Sequence, residues 1–111
     1  MKSIRQEKVE KLIAKDLGNI MLVNGQSWAP GTMVTVTEVR ISKDLGYAAV
    51  YISLFPVENR EKAMESITSA KAEIRYQLGS RIGKQMRKVP ELNFILDDSY
   101  DRAQRIDELL K

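Results

Sequence analysis

Near the start of the chain the apolar residues recur at steps of three and four: Val9, Leu12, Ile13, Leu17, Ile20 and Met21. That spacing predicts an amphipathic helix over Ile4 to Met21 with one apolar stripe. Lys8, Lys11 and Lys15 fall mostly on the remaining surface. Asn24-Gly25 is expected to stop the helix, because glycine takes a left-handed backbone at little cost. NGQSWAPG then reads as a loop punctuated by glycine and proline. After it the period changes. Met33 to Ser42 and Tyr47 to Phe55 are rich in β-branched and aromatic residues and read as strands. The short SKDLGY between them predicts an antiparallel hairpin. In the second strand Ala48, Val50, Ile52 and Leu54 share one face; Tyr47, Tyr51 and Phe55 share the other. In the first, Thr35, Thr37, Val39 and Ile41 alternate with Val36, Glu38 and Arg40. Each strand has a more apolar side, as expected of a sheet covered by helices on one face.

Pro56 ends the second strand. Glu58 to Ser69 reads as a helix built on Ala63, Met64 and Ile67. Another helical stretch follows, with Ile74, Leu78 and Ile82 at steps of four. Gly79 and Gly83 interrupt it, each costing about 1 kcal/mol relative to alanine. Pro90 opens a last strand in which Leu92, Phe94 and Leu96 alternate inward. DDSYDRAQRIDELLK reads as a terminal helix with Asp97, Asp98 and Ser99 as candidate caps. Asp101 suits its dipole, and Ala103, Ile106, Leu109 and Leu110 form its stripe. The order is α-β-β-α-α-β plus a C-terminal helix. It predicts an α+β architecture, a three-stranded sheet with helices on one face. The 111 residues suit a single domain spanning 1–111.

Composition removes much chemistry. The chain has no cysteine and no histidine. Disulfides, thiolate metal sites, the commonest general base and the commonest zinc ligand are therefore excluded. The opening MKSIRQEKVEKLIAKDL intersperses charge with apolar residues and lacks a signal-peptide core. No run reaches the length of a membrane span. A cytoplasmic protein without a membrane partner is expected. No Walker loop is present, nor a nucleophile with a recognisable base, so no enzyme, cofactor or small-molecule substrate is expected. Asp97, Asp98 and Asp101 read as helix caps rather than a metal site.

The net charge is only +3, but its distribution is uneven. Between Lys71 and Lys88 stand Lys71, Arg75, Arg81, Lys84, Arg87 and Lys88, against Glu73 alone. Solvated helix faces usually mix signs and form i,i+4 pairs; a one-signed cluster concentrates polyanions. Arginine offers a planar fork to phosphate and lysine a movable point charge. Arg5 and Lys8 either extend this basic surface or solvate an amphipathic helix. Tyr47, Tyr51 and Phe55 either stack bases or pack against neighbouring elements. Met64 and Met86 read as core filler.

The predicted element order is that of a type II KH-like fold. Several stretches, in order, resemble the ribosome-binding factor A family. They are VTVTEVRISKDLGYAAVYIS in the hairpin, IRYQLGSRIGKQMRKVPELNFILDDS across the basic helix and last strand, and RIDELL at the end. KVEKLIAKDLGNIM fits the family's first helix more loosely. Members carry an Ala-x-Gly kink between the paired helices, where other KH domains have a Gly-x-x-Gly loop. Here the match is Ala70-Lys71-Ala72, without the glycine. Side-chain atoms at these positions obstruct the close backbone approach by which ordinary KH domains clamp a single strand.

The resemblance implies a monomeric, non-enzymatic assembly factor. It would bind immature small ribosomal subunits and their precursor rRNA, near the decoding region. It would assist late maturation and 5′-end processing, with a role in growth at low temperature. The residues expected to carry RNA are Lys71, Arg75, Arg81, Lys84, Arg87 and Lys88, with Arg5 and Lys8. The alternatives are a generic KH module for single-stranded RNA and a protein–protein adaptor using the aromatic sheet face.

Overall fold

The computed structural model describes residues 2–98. The predicted terminal helix lies outside them. The first helix, α1 (Ile4–Trp28), opens with a reciprocal cap. Ser3 Oγ accepts from the Gln6 amide at 3.1 Å, and Gln6 Oε1 accepts from the Ser3 amide at 3.0 Å. Val9, Ile13, Leu17, Ile20 and Met21 are buried along its predicted stripe.

Asn24-Gly25 does not end α1. The helix runs one more turn, and the Gly25 carbonyl accepts from the Ala29 amide at 2.8 Å. The stop is Pro30–Gly31. A proline disfavours helical backbone in the residue before it, and Ala29 leaves the helix at φ −137°, ψ 74°. Gly31 then takes φ +76°, the left-handed region that glycine enters freely. The added turn offsets the cost of a helical glycine in two ways. Ala29 is buried, and Trp28 Nε1–H donates to Glu73 Oε2 at 3.1 Å.

The strands β1 (Met33–Ile41) and β2 (Tyr47–Phe55) pair antiparallel, and β3 (Glu91–Leu96) joins β2 in parallel, giving the order β1-β2-β3. β1 does not alternate strictly. A bulge between Val36 and Glu38 inserts an extra residue, Thr37. Val34 and Val36 before it, and Val39 and Ile41 after it, therefore all sit opposite core residues of β2: Leu54, Ile52, Val50 and Ala48. The two, three, two spacing of these apolar residues is the trace of the bulge.

Two helices span the crossover from β2 to β3. A short 3-10 turn, Val57–Asn59, leads into α2 (Arg60–Ser69), and α3 (Lys71–Ile82) follows at once. Ala70 alone joins them, at φ −88°, ψ 5°. This is the bridge region, sparsely populated but accessible to L-residues, so alanine can make the join. The Ala70 amide donates to Ser66 and Ile67 carbonyls, and its own carbonyl accepts from Ile74. Lys71 and Ala72 already lie in the first turn of α3. Ile74, Leu78 and Ile82 are fully buried against the sheet, with Leu92 and Phe94 of β3 in the same core.

One buried polar cluster fixes α1 on the sheet. Ile41 lies on β1, an edge strand, where outward backbone groups have no strand partner. Glu10 Oε2 accepts from the Ile41 amide at 2.8 Å, and Gln6 Nε2–H donates to the Ile41 carbonyl at 3.2 Å. Lys2 Nζ closes on the other Glu10 oxygen at 2.8 Å. Two α1 side chains thus stand in for a missing strand. They hold the start of α1, with Arg5 and Lys8, at the Ile41 end of the sheet.

Candidate nucleic-acid interface

The basic residues do not form one ridge along a helix. α3 ends at Ile82, so only Lys71, Arg75 and Arg81 are helical; Lys84, Arg87 and Lys88 lie in the 83–90 connection to β3. The helical glycines and the run toward Pro90 end the helix early.

Nor are the charges equally available. Arg75 is half-buried. Its Nε–H donates to the Pro90 carbonyl at 3.0 Å and its Nη2–H to the Val89 carbonyl at 2.7 Å. It ties the connection to α3 and keeps at most three of a guanidinium's five donors for anything else. Arg81 faces α1, where its Nη1 lies 3.9 Å from Asp16 Oδ1. α1 runs antiparallel to α3, as the Trp28–Glu73 and Asp16–Arg81 contacts require. An acid more than sixty positions away in sequence therefore tempers a charge that looks uncompensated. Lys84, Arg87 and Lys88 are exposed.

The connection carrying Arg87 and Lys88 stands among three grooves. The first, about 530 Å³, lies between the α2–α3 bend and the β1–β2 turn, with Lys71, Ala72, Arg75, Lys88 and Glu91 on its walls. The second, about 240 Å³, lies toward α1, with Arg5, Val9, Asp44, Met86, Arg87 and Lys88. The third, about 660 Å³, runs between α3 and the connection, with Arg75, Tyr76, Gly79, Arg87, Lys88 and Val89. Lys88 lines all three. Tertiary structure thus gathers Arg5, Lys71, Arg75, Arg87 and Lys88 at one end of the molecule. Lys8 and Lys84 are exposed but line none of these grooves, and Arg81 looks toward α1.

Two acids mark the rim, Glu91 and Asp44. Asp44 is held by the β1–β2 turn: Ser42 Oγ–H donates to its Oδ1 at 2.7 Å and the Gly46 amide at 3.0 Å. These two bonds hold its carboxyl below the ordinary carboxylate range, with a smaller contribution from Lys88.

The sheet's outer face does not offer a continuous aromatic platform. Tyr47 and Phe55 are exposed at opposite ends of β2, roughly 26 Å apart at strand rise. Between them Tyr51 is half-buried under the Arg40 guanidinium, 5.8 Å from its ring centre, and Glu38 holds Arg40 at 3.0 Å. The exposed aromatic beside the basic cluster is a different residue, Tyr76, which is absent from the sequence-based candidates. It stands two positions after Ile74, on the face of α3 away from the buried Ile74-Leu78-Ile82 row, so the helical period does contain the signal. Asp97 does not stand as a free cap: its Oδ2 accepts from Thr37 Oγ1 at 2.6 Å. Asp101 lies outside the described residues. Among the described residues no cluster of three or more potential metal ligands occurs, and no helix is long and apolar enough to cross a membrane.

The fold and sequence match known proteins along nearly the whole chain. The family model described as ribosome-binding factor A matches residues 5–110. Ribosome-binding factor A of Prosthecochloris aestuarii is 43% identical over 110 residues, covering 98% of this chain and 88% of the relative. The crystal structure of ribosome-binding factor A from Thermus thermophilus superposes with a TM-score of 0.69 at 25% identity, over 82% of this chain and 94% of that one. A homology model of the Thermus thermophilus factor, fitted into the cryo-EM map of its 30S complex, has the same fold. It superposes with a TM-score of 0.59 at 24% identity, over 86% of this chain and 93% of that one. These matches agree with the α+β, KH-like arrangement built up above, and the chain belongs to the ribosome-binding factor A family.

Proposed function

We propose that the protein is a non-enzymatic assembly factor that binds the small ribosomal subunit and its precursor rRNA in the cytoplasm, as a monomer. The observation that carries this reading is the meeting of three grooves at Lys88, with Arg5, Lys71, Arg75 and Arg87 around it. A relative's fitted 30S complex supports the choice of partner. The grooves lie against different elements around one residue, which suits a folded RNA surface read through phosphates and shape. Ala70, Lys71 and Ala72 carry side chains at the bend, which disfavours a clamp on one extended strand. Its action is binding energy: it stabilises one rRNA arrangement during late maturation and 5′-end processing near the decoding region, and leaves when the subunit matures. Cells lacking it are expected to grow poorly in the cold and to accumulate unprocessed 5′ ends.

The test is sedimentation of the protein with purified precursor and mature small subunits, coupled to RNA crosslinking. Preferential binding to precursors, with crosslinks at Lys88 and the 83–90 connection, supports the proposal. Absence from both particles rejects it. High-affinity, sequence-selective binding to short oligonucleotides would favour the generic KH reading.

A further inference from the structure

We infer that the groove between α3 and the 83–90 connection takes one unpaired base, stacked on the Tyr76 ring, with the adjoining phosphates on Arg87 and Lys88. The inference rests on the RNA-binding reading above and assigns one part of the RNA to one slot. Tyr76 is 77% exposed, so it is not retained for the core. Among the described residues its ring and hydroxyl have no hydrogen-bond or ring partner. An exposed aromatic is ordinary by itself; its surroundings are not.

The helical neighbours one turn away on the groove side are all small: Ala72, Gly79 and Ser80. Ser80 Oγ–H is turned back onto the Tyr76 carbonyl at 3.2 Å. At Gly79 even a Cβ would stand only 3.0 Å from Val89 Cγ2, a tight contact that Val89 would have to ease. A flat ligand can therefore lie along the Tyr76 face without displacing a side chain, against an apolar floor formed by Gly79 and Val89. The groove measures about 660 Å³, within the range of pockets that hold small ligands (~300–1,000 Å³).

Charge selects the occupant. The first groove includes Glu91 and the second Asp44, but among the described residues no acid lines this one; its ionisable walls are Arg75, Tyr76, Arg87 and Lys88. A π-face beside cations, with one-signed walls, fits a nucleobase and its phosphates. Unstacked bases in folded RNA are commonly read by aromatic stacking of this kind. Tolerance for any base is expected, because every base has a π-face.

The experiment compares a short labelled oligoadenylate with an abasic strand of the same length and charge, bound to the full chain at low salt. The base-bearing strand should bind about tenfold tighter. Tyr76→Ala should erase that preference while leaving the abasic affinity unchanged, and Tyr76→Phe should retain it. Tyr76 lies outside the core, so its removal should leave the fold intact, and circular dichroism of each variant checks this. Equal binding of the two strands by the parent, or a preference that survives Tyr76→Ala, overturns the inference. Binding to small subunits with no uptake of either strand also overturns it, and leaves the proposed function standing. Failure on the strands and on the subunits alike removes both.

Discussion

Arg75 and Arg87 line the same groove with the same charge, yet they are not the same kind of residue. Arg75 spends two donors on the Val89 and Pro90 carbonyls and fixes the shape of the connection. Arg87 is exposed on that connection and has no hydrogen bond or ion pair among the described residues. The first builds the surface; the second is displayed by it. A basic cluster in a sequence counts charges, whereas an RNA phosphate meets only uncommitted donors. Burial draws a second contrast between two committed acids: Glu10 is buried against the edge of β1, and Asp44 is exposed in the β1–β2 turn.

The sharpest break in that comparison is Arg75→Ala. It leaves two carbonyls without their donors and is expected to lower unfolding free energy by about 3 kcal/mol, since hydrogen bonds to a charged group contribute about 1.5–3 kcal/mol each. Arg87→Ala should change stability by no more than about 0.5 kcal/mol, as is usual at exposed positions. Urea denaturation of both variants measures the contrast, and equal losses would dissolve it. Arg75→Lys should recover only part of the loss, because a point charge cannot span both carbonyls.

Next in size is Glu10→Ala, expected to cost about 2 kcal/mol because the Ile41 amide loses a charged acceptor in a buried setting. Removing its partner by Lys2→Ala should cost less, since the lysine side chain is itself partly exposed and its loss leaves the Glu10–Ile41 bond in place. Hydrogen exchange at the Ile41 amide reports the same event locally: protection should fall in Glu10→Ala and persist in Lys2→Ala.

The smallest effect belongs to Asp44. Its carboxyl titrates below the ordinary range in the folded protein, held there first by the Ser42 hydroxyl and then by the Gly46 amide. A depressed folded pKa contributes stability that is present above the unfolded value and lost as pH falls through the folded one. The stability gap between the parent and Asp44→Asn should therefore be present at neutral pH and close on acidification below the carboxylate range. A gap that widens in acid would reverse the assignment.

Much of this architecture is legible from spacing. The bounds of β2 follow directly from its alternation, and the Ile74-Leu78-Ile82 row marks the buried face of α3. The resemblance marks Ala70-Lys71-Ala72 as the join of the paired helices; Ala70 is the joining residue, and Ala72, at the place of the pattern's glycine, is already helical. What escapes the sequence are features decided by distant parts of the chain. Gly25 looks like a stop because its local cost is visible, whereas the Trp28–Glu73 bond that rewards another turn joins residues far apart. The bulge at Thr37 is written in the spacing of Val34, Val36, Val39 and Ile41 but is hidden by a strict two-residue reading. For the site, the cluster of cations is legible. Which of them α1 and the connection occupy is not, because Asp16, Val89 and Pro90 meet them only through the fold.

The central claim is that the exposed charges of the 83–90 connection, centred on Lys88, grip rRNA phosphates. Its most direct test is the salt dependence of affinity for the small-subunit RNA, compared between the parent and the Arg87→Ala/Lys88→Ala double variant. Each phosphate contact contributes roughly −0.7 to −0.9 to the slope of log affinity against log salt. With Arg5, Lys71, Arg75, Arg87 and Lys88 engaged, the parent slope should be roughly −3.5 to −4.5, and the double variant should be shallower by roughly 1.4 to 1.8 at unchanged stability. A correctly folded double variant with the parent's slope and affinity would contradict the account.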